Sequence, residues 1–202
     1  MSLEIWLAFC LMETILCLTP GPAVLYVVSV ALSRGLRPGM AAAFGILAGN
    51  VLYFALSATG IAAVLLASAT IFSVLKSVGA AYLVWIGLRM LLARGNGHAQ
   101  PEPQADHRAF LRGFVVQGAN PKAWVFYTAL LPQFIDPAGA LVPQVALLGV
   151  TGLVIELVVL TFYVTLAVRA RRLAGTSLAR PLERLGGALL IAAGTRLALA
   201  RR

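Results

Sequence analysis

Charge is scarce in this chain: of 202 residues, 11% are Asp, Glu, Lys or Arg, and seven of those are acidic. A globular chain carries about 25% charged and about 45–50% apolar residues, whereas 60% here are hydrophobic and the mean hydropathy is +0.91. A water-soluble domain of this length could not hide that much apolar surface, and a disordered chain needs the opposite balance. Cysteine is nearly missing. Cys10 and Cys17 share one helix face in the first apolar run, which excludes a disulfide framework and leaves them as small packing residues. The two histidines, His98 and His107, lie in one hydrophilic segment without a second ligand cluster, so that segment reads as a solvated linker and not a metal site. The apolar segments also lack the His, Asp or Cys cluster that a membrane-embedded enzyme needs, so neither enzyme activity nor a cofactor is expected. The net charge of +9 sits in short clusters between apolar runs. No hydrophilic domain carries it, which argues against nucleic acid.

Long apolar runs are what the chain does have. No charge falls between Thr14 and Ser33, or between Pro38 and Leu75. The first run lacks a basic start and carries Glu4 and Glu13, unlike a signal peptide. At about 20 residues per crossing, the pattern predicts an all-α, polytopic membrane protein. Six helices are expected, at Ile5–Ala31, Met40–Leu66, Phe72–Leu92, Phe110–Leu131, Pro143–Val168 and Leu185–Ala200. A surface loop over Arg94–Arg108 separates the third from the fourth. Loops after helices one, three and five hold Arg34, Arg37, Arg94, Arg108, Arg112, Arg169, Arg171, Arg172, Arg180 and Arg184, with Arg89 just inside. The other face has Lys76, Arg201 and Arg202, with Arg196 just inside. Basic loops stay in the cytoplasm, so both termini are expected outside.

The chain also repeats itself. Residues 79–94 (GAAYLVWIGLRMLLAR) align without gaps on 186–201 (GGALLIAAGTRLALAR), identical at eight of sixteen positions. A second pair sets Thr19-Pro-Gly-Pro-Ala-Val-Leu-Tyr26 against Asn120-Pro-Lys-Ala-Trp-Val-Phe-Tyr127, sharing Pro20/Pro121, Val24/Val125 and Tyr26/Tyr127. One transmembrane domain of two repeats is expected, 1–94 and 109–202, joined by a loop at 95–108. Three crossings end opposite their start, so the second repeat must be inverted.

Inverted repeats with interrupted helices are a transporter architecture whose site lies near the bilayer midplane. Thr19, Pro20, Gly21 and Pro22 should break helix one, and Asn120 with Pro121 should break helix four. Freed backbone groups at such breaks could hold a zwitterion, its carboxylate at a half-helix N-terminus and its ammonium on carbonyls. Ionisable residues inside the bilayer mark function by default. Lys122 follows the second break, Glu13 precedes the first by two turns, and Glu156 lies mid-helix about where the repeat places Asn50. Lys122 could instead snorkel, and Glu13 could sit near the outer surface. Glu156, then Glu13, are the candidates for exchanging a proton during transport.

Taken together, these residues resemble the lysine exporter (LysE/RhtB) family of small amino-acid exporters over nearly the whole chain. The resemblance rests on Thr19-Pro-Gly-Pro22, Ser33-Arg-Gly-Leu-Arg-Pro-Gly39, Gly79–Arg89, and Asn120-Pro-Lys122 leading to Leu131-Pro-Gln-Phe134. Ala23 stands where the family often has a polar residue, and Gln117-Gly118-Ala119 replaces the more usual aliphatic and Asn residues. The resemblance implies a bacterial inner-membrane permease exporting amino acids or close derivatives, driven by the proton gradient. Its implied partners are an amino-acid substrate, protons and lipid, with a homodimer left open. Pro20, Gly21 and Pro22 match the first family signature, and Asn120, Pro121 and Lys122 the second. The rivals are a membrane thiol-redox protein, which would need a cysteine in each repeat, and a non-transporting membrane scaffold.

Overall fold

A computed structural model describes residues 1–59, 69–92 and 105–199. Over those residues every regular element is helical. The expected end of helix two at Leu66, the linker body with His98, and Ala200 to Arg202 lie outside the described residues.

The first apolar run forms two helices, α1 (Leu3–Leu18) and α2 (Pro22–Arg34), bent by 52° at their junction. Ser2 caps α1 by accepting the Ile5 N–H at 3.3 Å. Pro20 drives Thr19 into an extended conformation that ends α1. Pro22 then opens α2 at the helical position where a missing N–H costs nothing. Gly35, at φ 94°, turns the chain directly into α3 (Leu36–Ala58), a backbone conformation that disfavours any side chain. In the same corner Gly39 lets α3 approach Ala31 closely.

Next come α4 (Ala69–Leu92) and α5 (Ala105–Gly118). Residues 105–108, expected as loop, already belong to α5, so His107 is helical. The fourth helix is interrupted where Asn120 and Pro121 were expected to break it: Asn120 is extended, and the five-residue α6 (Pro121–Val125) restarts the helix. A π turn at Phe126–Leu130 and a 3₁₀ turn at Leu131–Phe134 finish the segment.

The remaining chain is α7, helical from Leu141 to Leu199. No loop therefore follows Val168, which corrects the expected gap between helices five and six. The run cannot be straight. Gly152 faces Phe54 and Glu13, while Gly194 faces Ala80 and Leu83, beside the contact of Gly79 with Ala119. From 152 to 194 a straight α-helix would extend about 63 Å, yet both glycines reach the same bundle. The α7 axis must turn back on itself, and the interior Pro181 lies between the two contacts.

Glycines set the closest helix contacts. Gly45 of α3 sits over the Phe110 carbonyl, and Gly113 of α5 over the Ala42 carbonyl. Between α4 and α7, Gly87 faces Gly187 and Ile191, and Gly194 faces Ala80. Small residues that bring backbones together are the usual means of packing helices in lipid. Outward faces are the reverse: Leu3, Leu7, Leu11 and Ile15 expose an apolar stripe on α1, and Val150, Val154, Val158 and Phe162 another on α7. Two helical stretches, Leu36–Ala58 and Leu141–Leu173, are long and apolar enough to cross a bilayer, and the bent α1–α2 pair makes a third. The chain is a multi-pass membrane protein.

Replacing Gly87 by Ala puts a Cβ about 2.5 Å from the Gly187 carbonyl oxygen. That overpacking should cost about 1–3 kcal/mol and lower the melting temperature of the detergent-solubilised protein. Gly118→Ala, where a Cβ meets nothing within 4 Å, should leave it unchanged or slightly higher. Equal melting temperatures for the two variants would contradict the α4–α7 contact.

Candidate functional site

The two breaks meet. Gly21, between α1 and α2, faces the Lys122 side chain of α6, where an added Cβ would lie 3.6 Å from Cδ. The Lys122 ammonium reaches back to the end of α1 and donates to the carbonyls of Leu16 and of Thr19, the latter at 2.9 Å. Tyr163 of α7 donates to the Leu18 carbonyl at 2.9 Å. Pro20 and Pro22 withhold the N–H groups that would follow the Leu16 and Leu18 carbonyls in a continuous helix, and side chains reach both, Leu16 also accepting from the Thr19 N–H at 3.1 Å.

The second break is capped from its own sequence. The Asn120 side chain accepts from the Lys122 N–H at 3.1 Å and closes the start of α6. Its amide donates to Gln117 at 3.0 Å. Gln117 in turn donates to Asn50 of α3, and Asn50 donates to the Glu156 carboxylate of α7. Asn50, Gln117 and Asn120 are all buried. A polar chain of four residues therefore crosses three helices in an apolar bundle, where each unsatisfied member would cost about 1–3 kcal/mol.

Glu13 is buried on α1 and accepts a weak bond from the Cys17 thiol at 3.5 Å. Glu13, Glu156 and Lys122 all line one cavity of about 50 Å³ together with Gly21, Asn50 and Asn120. By volume that is room for about three to five waters. The first turn of α2 adds Ala23 and Val24 to the wall. No side chain caps the α2 N-terminus, so its positive dipole end faces the cavity. Phe126 and Tyr127 add aromatic lining, and Tyr53 behind them stacks on Tyr127 at 4.8 Å between ring centroids. The Trp124 indole donates to the Tyr53 hydroxyl at 2.8 Å and to the Gly118 carbonyl at 2.9 Å.

Of the ten expected site residues, Glu13, Gly21, Asn50, Asn120, Lys122 and Glu156 line this cavity. Thr19, Pro20, Pro22 and Pro121 are not among its described lining residues. Their contribution is to the backbone: Pro20 ends α1, Pro22 and Pro121 open α2 and α6, and Thr19 offers its carbonyl. The carbonyls expected to take a substrate ammonium already hold the ammonium of Lys122. Gln117, Tyr53, Trp124 and Tyr163 were not singled out from sequence. Gln117 alone left a trace there, as an uncharged polar residue in an apolar helix at odds with the family pattern. Among the described residues no group of three or more His, Cys, Asp or Glu could hold a metal ion. Cys10 and Cys17 are free thiols on the same helix.

Interrupted helices around a small charged cavity inside an apolar bundle define the class of membrane solute carriers. Residues 14–201 match the LysE type translocator family, and the chain belongs to it. It is 35% identical over 204 aligned positions to a homoserine/homoserine lactone efflux protein of Salmonella typhimurium, covering 100% of this chain and 99% of that protein. An uncharacterised membrane protein of Vibrio cholerae is 32% identical, with 100% of each covered. A leucine efflux protein of Klebsiella pneumoniae is 28% identical over 92% of this chain and 88% of its own. No solved structure matches the chain.

Lys122→Met removes both bonds to the end of α1. Charge-assisted hydrogen bonds contribute about 1.5–3 kcal/mol each, so the variant should unfold several degrees lower in detergent. Lys122→Arg, which keeps the donor and the charge, should recover part of that loss. A Met variant as stable as the parent would show that Lys122 does not tie the two breaks together.

Proposed function

We propose that the protein exports small amino acids or close derivatives from the cytoplasm in exchange for protons. The cavity's charge balance carries this reading. Two carboxyl groups, Glu13 and Glu156, face one ammonium, Lys122, so with all three ionised the cavity has one negative charge in excess. A proton or the ammonium of a solute can neutralise it, and each displaces the other. That competition is the physical basis of antiport. The solute's carboxylate fits the uncapped N-terminus of α2, where a helix dipole favours an anion. Substrate contacts accordingly fall to Gly21, Asn50, Asn120 and Lys122, with Thr19, Pro20, Pro22 and Pro121 shaping the backbone around them. Glu156, held by Asn50, is the leading proton carrier, and Glu13 the second. The relatives named as homoserine/homoserine lactone and leucine efflux proteins support that substrate class.

This mechanism places the site between two inverted three-helix repeats, 1–94 and 109–202, in the bacterial inner membrane. Helix contacts support that symmetry by reciprocity. The repeat offset of 107 carries Gly87 to Gly194 and Ala80 to Gly187, and the contacts observed are Gly87 on Gly187 and Gly194 on Ala80. The offset of 101 between the breaks carries Gly21 to Lys122, and these two face each other. Asn50 and Glu156, which the repeat sets in equivalent places, are hydrogen-bonded to each other.

In proteoliposomes loaded with labelled homoserine or leucine, a proton gradient should accelerate efflux, and Glu156→Gln should reduce that acceleration by about tenfold or more. Solute exchange without a gradient should persist in the same variant. Unchanged proton dependence in Glu156→Gln would remove its coupling role, and a parent protein that moves no amino acid would remove the export reading itself. Impermeant labels should reach both chain ends from outside the cell; ends on opposite sides would rule out paired inverted repeats.

A further inference from the structure

A second and larger cavity, about 500 Å³, opens between α2, α4 and α5 at the arginine-rich end of the bundle. Arg34 enters it from the end of α2, Arg89 from α4, and Arg108 and Arg112 from α5. Its volume falls within the about 300–1,000 Å³ range of small-molecule sites. Arginine stays charged at any physiological pH, so four positive charges from three helices converge on one space. No carboxylate is among its described lining residues. Asp106, two residues before Arg108, is engaged by Arg37 at 3.1 Å.

A basic loop bias explains arginines at this end of the bundle, but it does not explain their convergence on a cavity. Beside the charges the lining carries an apolar strip, Trp85, Ile86 and Leu92 of α4 with Val30 of α2. Arg89 lies 5.2 Å from the centroid of the Trp85 ring, and Trp85 and Leu92 are themselves 45% and 75% exposed on the outer face of α4. The cavity thus combines guanidinium donors with an exposed apolar edge along α4. We propose that it binds the phosphate of an anionic phospholipid. Forked guanidinium donors suit phosphate oxygens, and the first acyl carbons would lie along Trp85 and Leu92. A free phosphate ion would satisfy the arginines alone and leave that edge unused.

The proposal is independent of export and is tested without it. The full chain, purified in a neutral maltoside detergent, is titrated with phosphatidylglycerol, phosphatidylcholine or inorganic phosphate, and its melting temperature is followed. Phosphatidylglycerol should give a saturable rise that neither of the others matches. The Arg89→Gln/Arg112→Gln variant should need about tenfold more of it or beyond. Equal shifts from phosphatidylglycerol and phosphatidylcholine would overturn the proposal without recourse to any variant. A shift from inorganic phosphate as large as that from phosphatidylglycerol would overturn the lipid assignment in favour of a soluble anion. An unaltered titration in the double variant would separate the lipid from these arginines.

Discussion

Lipid offers no hydrogen bonds, so any backbone group freed by a helix break must find its partner within the protein. That constraint decides the centre of this bundle. Pro20 and Pro22 stop α1 with carbonyls facing inward, and those carbonyls need donors that lipid cannot supply. Lys122 and Tyr163 supply them. Since Lys122 stands on the second residue of α6, satisfying the first break fixes the position of the second. The two interruptions are therefore one structural unit, and the small charged cavity is the space left where they meet.

The same constraint explains the polar chain from Asn120 through Gln117 and Asn50 to Glu156. An isolated carboxylate in an apolar bundle would be prohibitive. Here each side-chain amide passes one donor along and accepts the next, ending on the carboxylate. The chain links the second break, α3 and α7, so the charge on Glu156 is coupled to the helices that shape the cavity. A proton arriving there changes what the Asn50 amide faces, and with it the balance of charge beside Lys122. In the proposed antiport, coupling between proton and solute would need no long-range signal. Both would act on one cavity wall.

Much of this was legible in the chain, and for definite reasons. Proline removes a donor wherever it stands, so Thr19-Pro-Gly-Pro22 and Asn120-Pro121 announce breaks without any knowledge of tertiary contacts. Charges in apolar runs are equally visible, which is how Glu13, Lys122 and Glu156 could be named. The misses follow from the same logic. Thr19, Pro20, Pro22 and Pro121 are not among the cavity's described lining residues, because a proline break acts on the backbone around the space and offers no side chain to it. Gln117, Tyr53, Trp124 and Tyr163 matter through partners 65 or more residues away, save for the local bonds within 117–124, and no periodicity encodes those pairings. The helical stretch after Val168 departs from the expected loop because the clustered arginines there, Arg169, Arg171, Arg172, Arg180 and Arg184, read as a break between crossings. Propensity yields to context there, and α7 continues.

The contrast between the two cavities bears on how a solute could use the inner one. The space of about 50 Å³ is lined by Lys122, which bridges to the end of α1, and by Asn120, Gln117 and Asn50 of the polar chain. Any solute larger than a few waters must displace one of these boundaries, and each is made of hydrogen bonds that cannot be left open in a dry interior. In the proposed transport, entry would favour a molecule that replaces what it breaks. A solute ammonium drawn to Glu13 and Glu156 and a carboxylate at the α2 N-terminus, beside Lys122, would do so. An apolar solute of the same size could do neither. On that reading, selection for a group bearing both charges follows from the bonds around the site, before any side-chain pocket is considered.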